Sequence, residues 1–279
     1  MRTLAIVVAM SMVPGAQTPE FASRIEAIRV DVLVTEDGRP VLGLGPGDFE
    51  VRDNGVLQTV ELASYEETAL NVVLVLDMSA SVDGERLDHL RTAGNGLLAD
   101  LRQADQAGLI TFSHAVSPRV PLTADRQLIH RALDDAATSG QTALVDASFA
   151  AMMMAESDVG RSLVIVFSDG LDTGSWLRPD AVLEIGRRGD SVVYGVTAGK
   201  RRSSFLDNLA SATGGRLIEL GSTRDVGTSF RRILEEFRQR YLISYTPKGV
   251  TPGGWHRLDV RVNGSAWIVR ARPGYESEN

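Results

Sequence analysis

Five oxygen-bearing side chains in this sequence have the types and the spacing of a site for a hard cation. They are Asp77, Ser79, Ser81, Thr142 and Asp169. Carboxylate and hydroxyl oxygens suit Mg²⁺, Mn²⁺ or Ca²⁺, and two carboxylates balance the charge of one divalent ion. Hydroxyl ligands are neutral, so the ion would stay a strong electrophile with an open position for a carboxylate from a partner. The set therefore predicts a divalent-cation-dependent binding site.

A buried parallel sheet would bring these side chains to one edge. Apolar runs without polar alternation are typical of strands that are buried on both faces. Such runs occur at Val72–Leu76, Gly108–Phe112, Leu163–Phe167 and Val192–Val196. Helical patterns that begin near Leu87, Leu144, Phe205 and Val226 alternate with them. Residues 70–240 are therefore predicted to form an α/β domain with a doubly wound, mostly parallel sheet, in which ligands bind at the carboxyl ends of the strands.

Two shorter segments that flank this region are predicted to be β-structure. Residues 24–68 alternate in polarity and contain the hairpin signal Asp53-Asn-Gly55, and residues 241–275 contain three strand patterns separated by turn residues. Neither segment is long enough to build a stable core alone. Two arrangements follow: one β-sandwich-like unit with the α/β domain inserted in it, or two small appendages that pack on the α/β domain.

The amino-terminal residues 1–17 are typical of a secretory signal peptide. Arg2 precedes the apolar run Leu4–Val13, which is too short to span a bilayer, and small residues follow. A buried first strand is the alternative interpretation. We expect export to the periplasm or the extracellular space, with no integral membrane segment after the signal is removed.

The composition excludes several classes of chemistry. With 29 basic and 36 acidic residues the net charge of the 279-residue chain is −7, which makes nucleic acid a poor partner. The chain has no cysteine, so disulfides, thiolate metal sites and cysteine nucleophiles cannot form. A metal site must therefore use oxygen or imidazole ligands.

The five residues resemble, in their order and in their positions relative to strands and helices, the metal-ion-dependent adhesion site of the von Willebrand factor type A domain. The carrying motifs are Asp77-x-Ser79-x-Ser81, Thr142, and Asp169 in a Ser-Asp-Gly turn. This resemblance covers residues 70–240. It implies that the two serines and the threonine contact the ion directly and that the aspartates act largely through bound water.

The flanking segments resemble a bacterial exported group in which a β segment precedes such a domain. The motifs are Asp48-Phe49-Glu50 with Asp53-Asn-Gly55, and Tyr241-Leu-Ile-Ser-Tyr245 with Arg272-Pro-Gly-Tyr275. The function implied is a non-enzymatic, adhesion-type module that holds an acidic residue of a protein partner. A metal-assisted hydrolase and a structural domain with an unused site are the alternatives.

Two rival signals are weaker. His114 follows a strand and is the one candidate for the general base that a hydrolase requires. Gly195–Lys200 is similar to a phosphate-binding loop, but it is one residue short and has Arg201 where Ser or Thr would bind Mg²⁺. The basic cluster Lys200-Arg-Arg202 is interpreted as a solvated loop or as a contact patch for an acidic partner.

Overall fold

The computed structural model describes residues 27–64, 68–157, 159–199, 202–264 and 267–277, so the predicted signal segment 1–17 lies outside the described residues. The strands are β1 (Ile28–Glu36), β2 (Arg39–Pro40), β3 (Phe49–Asp53), β4 (Val56–Gln58), β5 (Leu62–Ser64), β6 (Leu70–Asp77), β7 (Gln106–Phe112), β8 (Val116–Thr123), β9 (Arg161–Ser168), β10 (Val192–Ala198), β11 (Leu217–Leu220), β12 (Tyr241–Tyr245), β13 (Gly254–Val262), β14 (Ile268–Arg270) and β15 (Gly274–Ser277). The helices are α1 (Glu85–Ala99), α2 (Arg126–Asp134), α3 (Leu144–Ala155), α4 (Pro179–Arg188), α5 (Ser204–Ala212) and α6 (Val226–Arg238). In these ranges no helix has the length and apolar character that a membrane span requires.

The central region is a six-stranded sheet in the order β11-β10-β9-β6-β7-β8. Its strands pair in parallel except β8, which runs antiparallel to β7. All eight residues of β6 are buried because helices cover both faces of the sheet. Val72 and Leu74 pack in the layer of α1, α2 and α6, whereas Val73 and Val75 pack in the layer of α3, α4 and α5. The predicted doubly wound α/β class is confirmed.

Four elements of this region have no counterpart among the predicted ones: β8, β11, α2 and α4. The strand β8 contains Pro118 and Pro121, which argue against a central strand, and the structure places it at the edge of the sheet. The helix α2 buries Ile129 and Leu133 on one face. None of the four elements contains a long apolar run: β11 has four residues, β8 is interrupted by two prolines, and α2 and α4 have nine and ten residues.

The two flanking segments form a single two-sheet unit and not two separate appendages. One sheet has the order β14-β1-β12-β5 with β2 paired to β1, and the other has the order β15-β13-β3-β4. Strands from both segments pair within each sheet, because β1 pairs with β12 and β3 pairs with β13. The apolar side chains of both sheets share one core. Each segment therefore supplies the strands that the other needs to bury its apolar face.

A buried polar network lies inside this sandwich. Asp53 at the end of β3 is fully buried and its Oδ2 accepts hydrogen bonds from the hydroxyls of Tyr245 (2.9 Å) and Tyr275 (2.8 Å). Its Oδ1 lies 2.8 Å from Nδ1 of His256. A carboxylate only accepts hydrogen bonds, so Nδ1 is the protonated ring nitrogen. The network joins four strands, since its members lie on β3, β12, β13 and β15.

The α/β domain and the sandwich are joined at one end of neighbouring strands. The chain leaves the sandwich after β5 and returns at β12, and these two strands pair with each other. Between α6 and β12, the fully buried Arg240 donates hydrogen bonds to the Tyr194 hydroxyl and the Gly214 carbonyl in the α/β domain, and to the Asp31 carbonyl on β1 of the sandwich. Arg161 at the start of β9 forms an ion pair with Asp31 on β1. Buried guanidinium groups therefore fix the junction in addition to the covalent connections.

Candidate metal centre

The predicted site residues lie at the carboxyl edge of the central sheet. Asp77 is the last residue of β6, and Asp169 follows directly after Ser168, the last residue of β9. The two strands pair in parallel up to Leu76 and Phe167. The chain continues from β6 to β7 on one side and from β9 to β10 on the other, so the connections that follow these two neighbouring strands leave in opposite directions. Such a switch point in the strand order is where open α/β sheets bind ligands.

Asp77 holds the first loop in place. Its side chain is fully buried, and Oδ1 accepts a hydrogen bond from the backbone N–H of Ser79 at 2.8 Å. Its Oδ2 accepts one from the Ser168 hydroxyl at 2.6 Å. The Ser79 and Ser81 hydroxyl oxygens lie 3.1 Å apart, so alternate residues of the loop point to the same side. The Asp-x-Ser-x-Ser spacing therefore gathers three oxygen-bearing side chains at the end of one strand.

Asp169 connects the third loop to the first. Its Oδ1 accepts a hydrogen bond from the Ser81 hydroxyl at 2.7 Å, and its Oδ2 accepts one from Nη1 of Arg86 at 2.9 Å. The Asp169 side chain is only 2% exposed, whereas the Arg86 side chain is 53% exposed. Arg86 was not among the predicted site residues. It lies in the first turn of α1, five residues after Ser81, and only the folded loops show that it reaches Asp169.

Thr142 lies in the second loop, just before α3. Its backbone N–H donates to the Thr173 hydroxyl at 3.1 Å, and its carbonyl accepts from the N–H groups of Thr173 and Gly174. A Cβ placed on Gly170 would lie 3.9 Å from the Thr142 hydroxyl oxygen, so this hydroxyl lies beside the Ser-Asp-Gly turn. Among the described residues, no hydrogen bond joins the Thr142 hydroxyl to the other four predicted side chains. Thr142 is therefore adjacent to the set but is not part of its hydrogen-bond chain.

Backbone hydrogen bonds tie the first loop to the second. The Ser139 N–H donates to the Met78 carbonyl at 2.8 Å, and the Ala80 N–H donates to the Gly140 carbonyl at 3.3 Å. Gly140 has a φ of +67°, and a Cβ at this position would collide with the His114 ring. The three loops are thus mutually fastened, so the position of each side chain is set before any ligand arrives.

The electrostatics of the site favour a cation. Burial raises the pKa of Asp77, and the nearby Asp169 charge raises it further, although hydrogen bonds from Ser168 and Ser79 oppose this. Across the described residues, no group of three or more carboxylate or imidazole side chains is arranged to hold a metal ion. An ion at this edge would therefore rely on hydroxyls in addition to the two carboxylates. That all-oxygen donor set fits a hard divalent cation.

The rival signals are not part of this geometry. His114 is exposed, its Nδ1 lies 3.3 Å from the Ser113 hydroxyl, and within the described ranges it forms no hydrogen bond with the five predicted residues. In the segment similar to a phosphate loop, Gly195 lies inside β10, while Lys200 and Arg201 lie outside the described residues. Arg202 forms ion pairs with two carboxylates of its own surface.

An exposed tryptophan stands in the loop that follows Asp169. Trp176 is 93% exposed, although its backbone is fixed: its N–H donates to the Asp146 carboxylate at 2.9 Å. The neighbouring Ser175 hydroxyl accepts from the N–H groups of Val145 and Asp146 at the start of α3. The only signal for Trp176 in the sequence is its position directly after a run that is rich in Gly, Ser and Asp.

Comparison with known proteins identifies the fold of the central region. The family model of the von Willebrand factor type A domain matches residues 71–232. An uncharacterized protein of Borreliella burgdorferi is 24% identical over 139 residues, which are 46% of this chain and 40% of that protein. The chain therefore spans less than half of the length of this relative.

Solved structures agree with this result at the level of the fold. The conserved hypothetical protein BatB from Bacteroides thetaiotaomicron is 16% identical with a TM-score of 0.51, over 61% of this chain and 98% of that one. Proximal thread matrix protein 1 from the mussel byssus, solved with a zinc-occupied MIDAS motif, is 16% identical with a TM-score of 0.54, over 65% of this chain and 48% of that one.

Proposed function

Because this chain belongs to the von Willebrand factor type A domain family, we propose that it is a non-enzymatic module that binds a protein partner through a divalent cation. The cation would be held at a metal-ion-dependent adhesion site and would accept an acidic side chain of the partner. One observation carries this proposal: three mutually fastened loops bring Asp77, Asp169 and the hydroxyls of Ser79 and Ser81 together at the sheet edge.

The chain's own residues fit the roles that the family resemblance implies. Ser79, Ser81 and Thr142 would contact the ion through their hydroxyls, and Asp77 and Asp169 would hold its bound water. The ion, Mg²⁺ with Mn²⁺ or Ca²⁺ as alternatives, supplies a Lewis acid that attracts a carboxylate. The mussel matrix protein with a zinc-occupied MIDAS motif is a structural neighbour, which supports metal binding by this fold.

Trp176, in the loop that follows Asp169, would offer the partner a second contact. Tryptophan is enriched among residues that dominate binding energy, and its rigid ring loses little conformational entropy on binding. Here the backbone is already fixed by Asp146, which lowers this cost further. We propose that the partner presents an acidic side chain to the ion and an apolar side chain to Trp176. From the signal peptide that the sequence predicts, we propose that this encounter occurs in the periplasm or outside the cell.

Titration of metal against thermal stability tests the proposal. A cation that binds only the folded state raises the free energy of unfolding by mass action, by about 2.7 kcal/mol at a concentration 100 times its Kd. We expect Mg²⁺ or Mn²⁺ to raise the melting temperature of the wild type and not that of the double variant Ser81→Ala, Thr142→Ala. Thr138→Ala is the matched control, because this hydroxyl of the same loop bonds Asp83 instead. An equal rise in the double variant would contradict the site.

A metal-dependent pull-down from the native extracellular fraction tests the partner. We expect capture with Mn²⁺ that EDTA abolishes, and a lower yield with Trp176→Ala at unchanged metal affinity. Capture that survives EDTA would contradict the metal-dependent mechanism. The hydrolase alternative is checked with the same protein on a phosphoester panel with Mn²⁺, where turnover that depends on His114 would replace the proposal.

A further inference from the structure

Arg86 is the one basic side chain that the described structure places in contact with the candidate metal residues. Its Nη1 donates to Oδ2 of Asp169 and to the carbonyl of Ser81, both at 2.9 Å. Its remaining donors, Nε and Nη2, have no hydrogen-bond partner among the described residues, and the side chain is half exposed. The guanidinium is therefore anchored through one nitrogen while its other edge faces solvent.

The net charge of the cluster formed by Asp77, Asp169 and Arg86 changes sign when a divalent ion binds. Asp77 and Asp169 contribute two negative charges and Arg86 contributes one positive charge, so the cluster alone carries one net negative charge. A divalent ion turns this into one net positive charge. Without Arg86, the same ion would leave the cluster neutral. Arg86 therefore gives the loaded cluster a net positive charge, which adds to the attraction between the ion and an anion in a chain whose overall charge is −7.

We propose that Arg86 is a specificity-determining residue that weakens cation binding and strengthens binding of the acidic ligand. This inference rests on the proposed function. Repulsion between the guanidinium and the ion lowers the metal affinity, and the ion pair with Asp169 competes for one of the carboxylates that the ion needs. The free edge of the guanidinium offers two parallel N–H donors, which is the geometry that a carboxylate accepts.

The two effects have opposite signs, which separates this role from a merely structural one. Loss of a structural contact would disturb the loops and weaken both binding events. Loss of a charge that repels the metal ion and attracts the anion would instead tighten binding of the metal and weaken binding of the anion. Lysine at this position would keep the charge without the planar fork, so it should retain the metal effect and lose part of the anion effect.

Isothermal titration with Mn²⁺ alone, followed by titration of the Mn²⁺-loaded protein with acetate, measures both signs. We expect Arg86→Gln to bind Mn²⁺ about three- to tenfold more tightly than the wild type and to bind acetate several-fold more weakly. Arg86→Lys should stay near the wild type for Mn²⁺. Arg188→Gln is the matched control, because Arg188 is 56% exposed, pairs with Glu184 and ends α4 at the opposite edge of the sheet. Melting curves in EDTA verify that each variant is folded.

The outcomes are distinguishable. Mn²⁺ binding in the wild type with an unchanged or weaker affinity in Arg86→Gln would overturn the role of Arg86 and leave the proposed function standing. Absence of Mn²⁺ binding in every variant would overturn both. A tighter Mn²⁺ affinity with unchanged acetate affinity would show that Arg86 acts on the cation only, which contradicts the specificity role.

Discussion

Asp53 in the sandwich and Asp77 at the edge of the central sheet are both fully buried, yet their surroundings differ. Asp53 is met only by donors, the ring of His256 and the hydroxyls of Tyr245 and Tyr275. Asp77 also accepts two hydrogen bonds, but burial raises its pKa, and the charge of the nearby Asp169 carboxylate adds a smaller rise.

The contrast separates a structural carboxylate from one that is suited to bind. A carboxylate that is surrounded by donors has its charge satisfied by the protein, so nothing further is gained from an ion. Two carboxylates that share a space repel each other until a cation enters it. The donors around Asp53 stabilise one structure, whereas the charges of Asp77 and Asp169 lie close enough for one cation to interact with both. The same substitution, made at Asp53 and at Asp77, tests this difference.

The largest effect is expected for Asp53→Asn in the absence of metal. An amide has one acceptor oxygen for three donors, so at least one buried group of His256, Tyr245 or Tyr275 loses its partner. We expect a loss of about 2–4 kcal/mol in the free energy of unfolding. Asp77→Asn should cost less, about 1 kcal/mol, because removal of a buried charge offsets the loss of one of the two hydrogen bonds that the carboxylate accepts. Urea unfolding in EDTA measures both.

Asp259→Asn is the control for this pair, since Asp259 is exposed on β13 and bonds Arg261. It should change the free energy of unfolding by less than about 0.5 kcal/mol. Equal losses in Asp53→Asn and Asp77→Asn would show that both carboxylates are structural, and the contrast would be broken.

A smaller effect is expected for the metal increment, which is the rise in the free energy of unfolding that a bound metal ion produces, in the same variants. Saturating Mn²⁺ should add up to about 2.7 kcal/mol to the unfolding free energy of the wild type at 100 times Kd. We expect Asp53→Asn to keep this increment in full, although it starts from a lower stability, and Asp77→Asn to lose most of it. Melting curves with Mn²⁺ and with EDTA give the increment for each variant. Loss of the increment in Asp53→Asn would mean that the sandwich and the site are coupled.

The smallest effect concerns alkaline pH. Burial raises the pKa of Tyr245 and of Tyr275, and the Asp53 charge adds to this. A raised pKa in the folded state gives stability that is fully present below about pH 10 and is lost progressively as the pH rises above it. Tyr275→Phe should cost about 1 kcal/mol at pH 7 and make the alkaline loss less steep.

Tyr194 also contributes to the loss of stability at alkaline pH. Burial raises the pKa of Tyr194 to about 12, so the wild type loses stability at high pH from the α/β domain as well. The difference between the slopes of the wild type and Tyr275→Phe isolates the sandwich. Urea unfolding at several pH values between 8 and 11 provides these slopes. Identical slopes would remove Tyr275 from the titrating groups.

The sequence predicted the α/β class because its strands are continuous apolar runs, and it placed Asp77 and Asp169 at strand ends because the runs end there. It could not predict Arg86 at the site, since that contact depends on how α1 begins relative to a loop 83 residues later. Asp53 was interpreted as part of a turn signal. The turn lies at Asn54 and Gly55, with φ values of +47° and +85°.

The burial of Asp53 follows from a pairing that a local pattern does not contain. It lies opposite Leu258 on β13, and its partner His256 is 203 residues away in the sequence. The pairing of strands from the amino-terminal and carboxy-terminal β segments determines which of their polar residues are buried. Local alternation of polar and apolar residues predicts that these segments are strands, but it does not predict which strand each of them pairs with.

The way in which the chain leaves and re-enters the sandwich has a mechanical consequence. Since β5 and β12 are paired neighbours and both connect to the α/β domain at the same end, a partner bound at the proposed metal site would load two adjacent covalent connections if it pulled on the domain. The ion pair of Arg161 with Asp31 and the hydrogen bond from Arg240 to the Asp31 carbonyl bridge the same junction. Tension applied in this way would be shared by two adjacent strands and would not fall on a single connection.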